Sequence, residues 1–201
     1  MVTKGLNRVD KLKFTGEKMI GTERLILRPF TEDDASDAFE YLNKPTVNCF
    51  ACMKVDDIQE ATEAVIKRSK DKEYYFAIVL KENNKVIGEI DAMPENPAPD
   101  DKNGVLDTFS PCWMLNTNYH GKGYAYEAAK AFFDYLFYEK GARRIYAFTE
   151  DYNIASQKLC EKLGMRREGL FKEFVTFIND ENGNPIYENT YQYAILKKEW
   201  V

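Results

Sequence analysis

The 201 residues carry 28 Lys and Arg against 33 Asp and Glu, a formal net charge of −5, which excludes the basic footprint that general nucleic-acid binding requires. A hydrophobic fraction of 44% with 30% charged residues is globular composition rather than disorder. No run of 18 apolar residues is present to span a bilayer, and four scattered cysteines with a single histidine neither frame a disulfide scaffold nor complete a zinc site.

Residues 1–19, opening MVTKGLNRVDKLKFTGEK, contain no apolar core of signal-peptide length. They are read as an extension ahead of one domain over residues 20–201, with a cytoplasmic location expected. Arg24 to Phe30 (RLILRPF) reads as a strand closed by Pro29, after which Thr31, with Asp34 three residues on, opens a helix bearing Ala35, Ala38, Phe39 and Leu42 at helical spacing. Cys49 and Cys52 form a Cys-x-x-Cys, but with no second pair they are expected to be ordinary reduced thiols and no metal is implied. A second helix is expected from Asp56, with Ile58, Ala61 and Val65 on one face.

Tyr74 to Leu80 and Lys85 to Met93 flank the turn ENN as a hairpin, and Pro94 to Asp107 reads as a long acidic loop. A further strand ends at Trp113 to Asn116, followed by a helix over 123–138, a strand over 143–149, and a helix from Asn153 to Leu163 stopped by Gly164. Two strands, around Leu170 to Ile178 and Ile186 to Leu196, finish the chain across the turn NDENGNP. The order β-α-α-β-β-β-α-β-α-β-β joins a meander to one β-α-β crossover, so the fold class is α/β (α+β): a mixed, mostly antiparallel twisted sheet with helices on both faces.

The segment that carries chemistry is WMLNTNYHGKGYAYEA, a strand, a loop with Gly121 and Gly123, and the start of a helix. Glycines let backbone approach a ligand, and the free N–H groups of a helix N-terminus attract phosphate, so Gly121 to Ala125 can cradle a pyrophosphate. Alone, the pattern equally describes a tight strand-to-helix turn. It is neither a Walker loop, since Gly123 follows Lys122, nor a dinucleotide fingerprint, since no third glycine follows.

His120-Gly121-Lys122-Gly123-Tyr124-Ala125 resembles the acyl-CoA pyrophosphate loop of GNAT acetyltransferases, Arg/Gln-x-x-Gly-x-Gly/Ala. Three further segments resemble the branch of the ribosomal-protein alanine acetyltransferases RimJ and RimL: Thr22 to Pro29 (TERLILRP), Asn153-Ile154-Ala155-Ser156 followed by Glu161 to Met165 (EKLGM), and the closing YAILKKEW from Tyr193 to Trp200. The resemblance covers roughly residues 20–200. It departs in three places: His120 stands where Arg or Gln is usual, Cys160 where many members keep a tyrosine acid, and Asn189 where the branch usually has aspartate.

The resemblance implies acetyl-CoA as cosubstrate and direct transfer of its acetyl group to a primary amine, either a protein N-terminus or a small molecule, in a monomer or homodimer. It implies CoA contacts from Trp113, Met114 and Leu115, from His120 through Ala125, and from Asn153 and Ser156. A backbone N–H of Trp113 to Leu115 would stabilise the oxyanion, and the Ser156 hydroxyl would protonate the departing thiolate. Glu89 and Glu150 are the candidate general bases, though each also reads as a plain solvated carboxylate. The alternative is a catalytically silent acyl-CoA-binding or protein-interaction module.

Overall fold

Alternation with a period of two along Tyr75–Leu80 decides the architecture. Phe76, Ile78 and Leu80 enter one buried apolar cluster, whereas Ala77 and Val79 enter another on the opposite face. In the computed structural model, which describes residues 18–98, 100 and 103–201, this strand is the third of an eight-stranded sheet. The strands are β1 (Ile20–Gly21), β2 (Leu25–Arg28), β3 (Tyr75–Leu80), β4 (Val86–Glu95), β5 (Thr108–Leu115), β6 (Arg144–Glu150), β7 (Arg166–Asn179) and β8 (Pro185–Leu196). Their order across the sheet is β1-β2-β3-β4-β5-β6-β8-β7. Among the described residues, no helix is long and apolar enough to cross a membrane.

Helices α1 (Ala35–Leu42) and α2 (Ile58–Arg68) cover one face, burying Ala38, Leu42, Ala61 and Val65 with Ala77 and Val79. Helices α3 (Tyr124–Asp134) and α4 (Ile154–Lys162) cover the other, where Ala128, Phe132, Phe133 and Leu159 pack with Phe76 and Ile78. The mixed sheet covered on both faces that the sequence implies is therefore the fold of the chain.

Two local differences have physical causes. β4 runs through Pro94 to Glu95, which pair with Phe109 and Thr108, so the acidic loop is shorter than expected. β3 stops pairing at Asp91, leaving one edge of β4 open beyond it, and an open edge tolerates a residue without an N–H. The expected helix over 123–138 keeps α-geometry only to Asp134 and closes with a π-turn over Tyr135–Glu139, where the Lys140 N–H reaches the Tyr135 carbonyl at 3.1 Å. The expected extension lies almost wholly outside the described residues.

One junction positions the site. All neighbouring strands are antiparallel except β5 and β6, which are parallel and paired only at Thr108–Arg144 and Phe109–Ile145. From Ser110 onward the two strands splay apart, and among the described residues the edge of β5 that faces β6 has no strand partner.

Candidate active site

The splay opens a cleft of about 780 Å³ between β5 and β6. Trp113, Met114 and Leu115 form its β5 wall, with the Gly121 and Gly123 loop at one end. Gly121 and Gly123 sit at φ +72° and +83°, the left-handed region where glycine is at ease, and Gly123 caps the N-terminus of α3. His120 Nε2 lies 2.9 Å from the Leu115 carbonyl oxygen; since that oxygen only accepts, the ring donates and ties the loop to the end of β5.

Arg24 at the mouth of β2 braces the same loop. It donates to the Lys122 carbonyl at 3.1 Å and to the Glu127 carboxylate at 2.7 Å, and its guanidinium lies 4.4 Å from the Tyr124 ring centre. Lys122 contributes its backbone to this brace, while its ammonium lies over Tyr119, 5.2 Å from the ring centre. Tyr124 and Ala125 line the cleft at the first turn of α3, where helix N–H groups lack intrahelical acceptors.

Asn153 links the two sides of the cleft. Its Oδ1 accepts from the Ser156 N–H at 3.2 Å, capping α4, and its Nδ2 donates to Glu150 Oε2 at 3.3 Å. Ser156 and Glu150 both line the cleft, so the structure brings together Ser156, Asn153, Glu150, the β5 wall and the glycine loop. Cys160 lies one turn farther along α4 and is fully buried in the core, where burial pushes its thiol up to about 12.

Glu89 lies elsewhere. Its side chain is buried beneath α1 and α2 and accepts from Arg68 Nε and Nη2 (3.0 and 3.1 Å), from Tyr41 (3.0 Å) and from Tyr75 (2.7 Å). Burial, and then the Glu89 charge, push both phenols above their ordinary range, so they stay protonated as donors. With four donors, two of them from the Arg68 guanidinium, Glu89 ties α1 and α2 to the sheet and does not line the cleft.

Two contributors were not foreseen. The turn over Asn48–Met53 roofs the cleft with Cys49 and Phe50 and is latched by Asn48, whose Nδ2 donates to Glu188 Oε1 at 2.5 Å. The Cys-x-x-Cys spacing is expected to hold ordinary reduced thiols and gives no sign of this placement; burial and a bond to the Glu150 carboxylate push the Cys49 thiol far up, keeping it neutral. The other is Thr190 of β8, directly opposite Glu150 in the strand register. No local pattern distinguishes it from any other strand threonine.

A family model described as the acetyltransferase (GNAT) domain matches residues 24–166. The uncharacterized N-acetyltransferase YnaD of Bacillus subtilis (strain 168) is 34% identical over 90% of this chain and 98% of its own. Among solved structures, a GNAT-family acetyltransferase from Bacillus anthracis is 30% identical with a TM-score of 0.76, covering 90% of this chain and all of that one. A putative ribosomal-protein-serine acetyltransferase from Vibrio cholerae shares the fold at 20% identity and a TM-score of 0.67, over 89% of this chain and 97% of its own. With a glycine loop on a helix N-terminus, a splayed parallel pair and these matches in agreement, the chain belongs to the GNAT family of acetyltransferases.

Proposed function

We propose that this acetyltransferase moves the acetyl group of acetyl-CoA to a primary amine by direct attack within the splay, in the cytoplasm. The observation that carries the reading is the single cleft that joins the glycine loop to Ser156 and Glu150 through the gap between β5 and β6. The loop and the first turn of α3 receive the pyrophosphate, with Arg24 and His120 holding them in shape. Glu150 takes the proton that an ammonium must lose before its nitrogen can attack.

As the nitrogen bonds to the thioester carbon, charge grows on the carbonyl oxygen, and an unpaired β5 N–H at Trp113 to Leu115 faces it. The carbon–sulfur bond then breaks, the nitrogen releases its remaining extra proton to solvent to leave the neutral amide, and the thiolate takes a proton from the Ser156 hydroxyl, which is refilled from solvent. Glu150 rather than Glu89 is the proposed base because Glu89 is committed to Arg68 and two tyrosines. The relation to the RimJ and RimL branch rests on the Thr22 to Pro29 and Asn153 to Met165 segments and leaves both peptide N-termini and small amines within reach.

Thiol release on mixing with acetyl-CoA and an amine, with the acetylated amine identified by mass spectrometry, tests the reading. Ser156→Ala should lower kcat ten- to a thousandfold, about 1.4 to 4 kcal/mol, with acetyl-CoA affinity nearly unchanged. Turnover surviving Ser156→Ala within twofold removes Ser156 from the mechanism. Calorimetric binding of acetyl-CoA without transfer to any amine makes the chain a binding module.

A further inference from the structure

Resting on the transfer reading above, we propose that the far end of the cleft selects a small primary amine carried on an aromatic skeleton, with its ammonium held between Glu150 and Thr190. The two residues are register partners on β6 and β8, 5% and 3% exposed, and both line the cleft. Strand alternation turns them to the same face as Phe148, opposite to the face on which Ile145 and Ala147 enter the core with α3.

Both groups are incomplete. Among the described residues Glu150 has no Lys, Arg or His ion-pair partner, and its carboxylate meets only the Asn153 amide and the neutral Cys49 thiol. Among the described residues the buried Thr190 hydroxyl has no hydrogen-bond partner. A buried carboxylate without a cation and a buried hydroxyl without a partner are each costly, and an ammonium donating to both relieves them together.

The surrounding wall sets the rest of the acceptor. Phe148, Phe174, Phe177 and Phe50 line the cleft, and Phe148, Phe174 and Phe177 leave 42%, 50% and 38% of their surface open. The Phe148 and Phe174 ring centres are 5.5 Å apart. Phe174 reaches this position through a bulge in which Lys172, Glu173 and Phe174 oppose Asn189 alone. Glu173 there adopts φ +48°, held by its N–H donating to Asn189 Oδ1 at 3.1 Å, while Asn189 Nδ2 donates to Asp151 at 2.9 Å. A strained backbone maintained to point a phenylalanine into a cleft describes a recognition wall. Glu150 is the sole carboxylate among the described lining residues, so the pocket provides for one ammonium and then apolar surface. A polyamine would leave its second cation without a partner, and a peptide would leave its amide groups against phenyl rings.

The test uses the purified full chain with saturating acetyl-CoA and compares phenethylamine, n-butylamine, spermidine and an alanyl tripeptide. We expect kcat/KM for phenethylamine to exceed those for spermidine and the tripeptide at least tenfold. Phe174→Ala should raise KM for phenethylamine about tenfold while KM for n-butylamine moves less than threefold, and Thr190→Val should raise KM for both amines by a similar factor. A preference for spermidine or for the peptide overturns the proposed class while leaving the transfer chemistry standing. Equal KM changes for phenethylamine and n-butylamine in Phe174→Ala overturn the aromatic wall. If acetyl-CoA binds by calorimetry yet no amine is acetylated, the transfer reading fails, and the acceptor assignment fails with it.

Discussion

Arg24 and Glu127, 103 residues apart, are joined twice: the Arg24 backbone N–H donates to Glu127 Oε1 and its Nε to Oε2, both at 2.7 Å. The Thr22 hydroxyl adds a third bond at 2.6 Å. Burial would raise the Glu127 carboxyl, but these hydrogen bonds together outweigh it and hold the group below its ordinary value. Glu127 thereby fixes the start of β2 to the first turn of α3, and the Lys122 carbonyl is held by the same guanidinium. Glu127→Ala should weaken acetyl-CoA binding about tenfold by calorimetry, because the loop loses its brace while its glycines remain. Because the folded value is lowered, the stability this carboxylate contributes is present above its unfolded value, about pH 4.3, and is lost as the pH falls below that.

Gly88 sets the distance between β4 and β5. A Cβ there would lie 2.3 Å from the Met114 carbonyl oxygen and 2.9 Å from the Leu115 Cα, both backbone atoms that cannot rotate away. Gly88→Ala should push β5 into the cleft and lower kcat at least tenfold, whereas the glycine loop, carried on α3, should keep most of its affinity for acetyl-CoA. Steady-state kinetics alongside calorimetry measure the two effects separately.

Arg28 and Asp34 form a two-pronged ion pair, with both contacts at 2.7 Å and side-chain exposures of 4% and 1%. Asp34 also accepts from the Thr31 N–H at 2.8 Å, so one carboxylate fixes the turn into α1 and neutralises a buried guanidinium. Removing one partner of such a pair strands the other charge, and Asp34→Ala should cost about 3 to 5 kcal/mol in urea unfolding.

Asp91 carries a penalty that grows with pH. Burial first, and then the neighbouring Glu89 charge, push its carboxyl up to about 7. Since the folded value lies above the unfolded one, stability is fully present below about pH 3.9 and declines as the pH rises through 7. Asp91→Asn should flatten that decline and leave the variant about 2 kcal/mol more stable than the parent at pH 8. Urea melts at pH 5 and pH 8 give the comparison.

The elements that the sequence declared were those whose apolar spacing is local. RLILRPF, YYFAIVL and the helix bearing Phe132 and Phe133 announce themselves because each buries one face against its neighbours. Glu89 and Glu150 could not be told apart in the same way, since each is a carboxylate on an apolar strand. What separates them arrives from far along the chain: Arg68 from α2 and Tyr41 from α1 for one, Thr190 from β8 for the other. Asp34 was legible as a capping residue but not as the partner of Arg28, because a strand residue and a turn residue become neighbours only once α1 folds back on the sheet. The recognition wall depends on a bulge whose cause is Asn189, a residue that the sequence marked only as a departure from the resemblance.

The sheet order has a consequence for the nascent chain. β2 through β5 each pair with the strand made just before, so this half of the sheet can form as it leaves the ribosome. β8 is made last yet lies between β6 and β7, and until it arrives both of those strands present open edges. A chain released short of residue 185 would keep the glycine loop while lacking Thr190 and the strand that pairs with β7, which carries Phe174 and Phe177. Such truncated products are expected to aggregate through β6 and β7, which makes completion of the last twelve-residue strand the committing step in assembling the acceptor side.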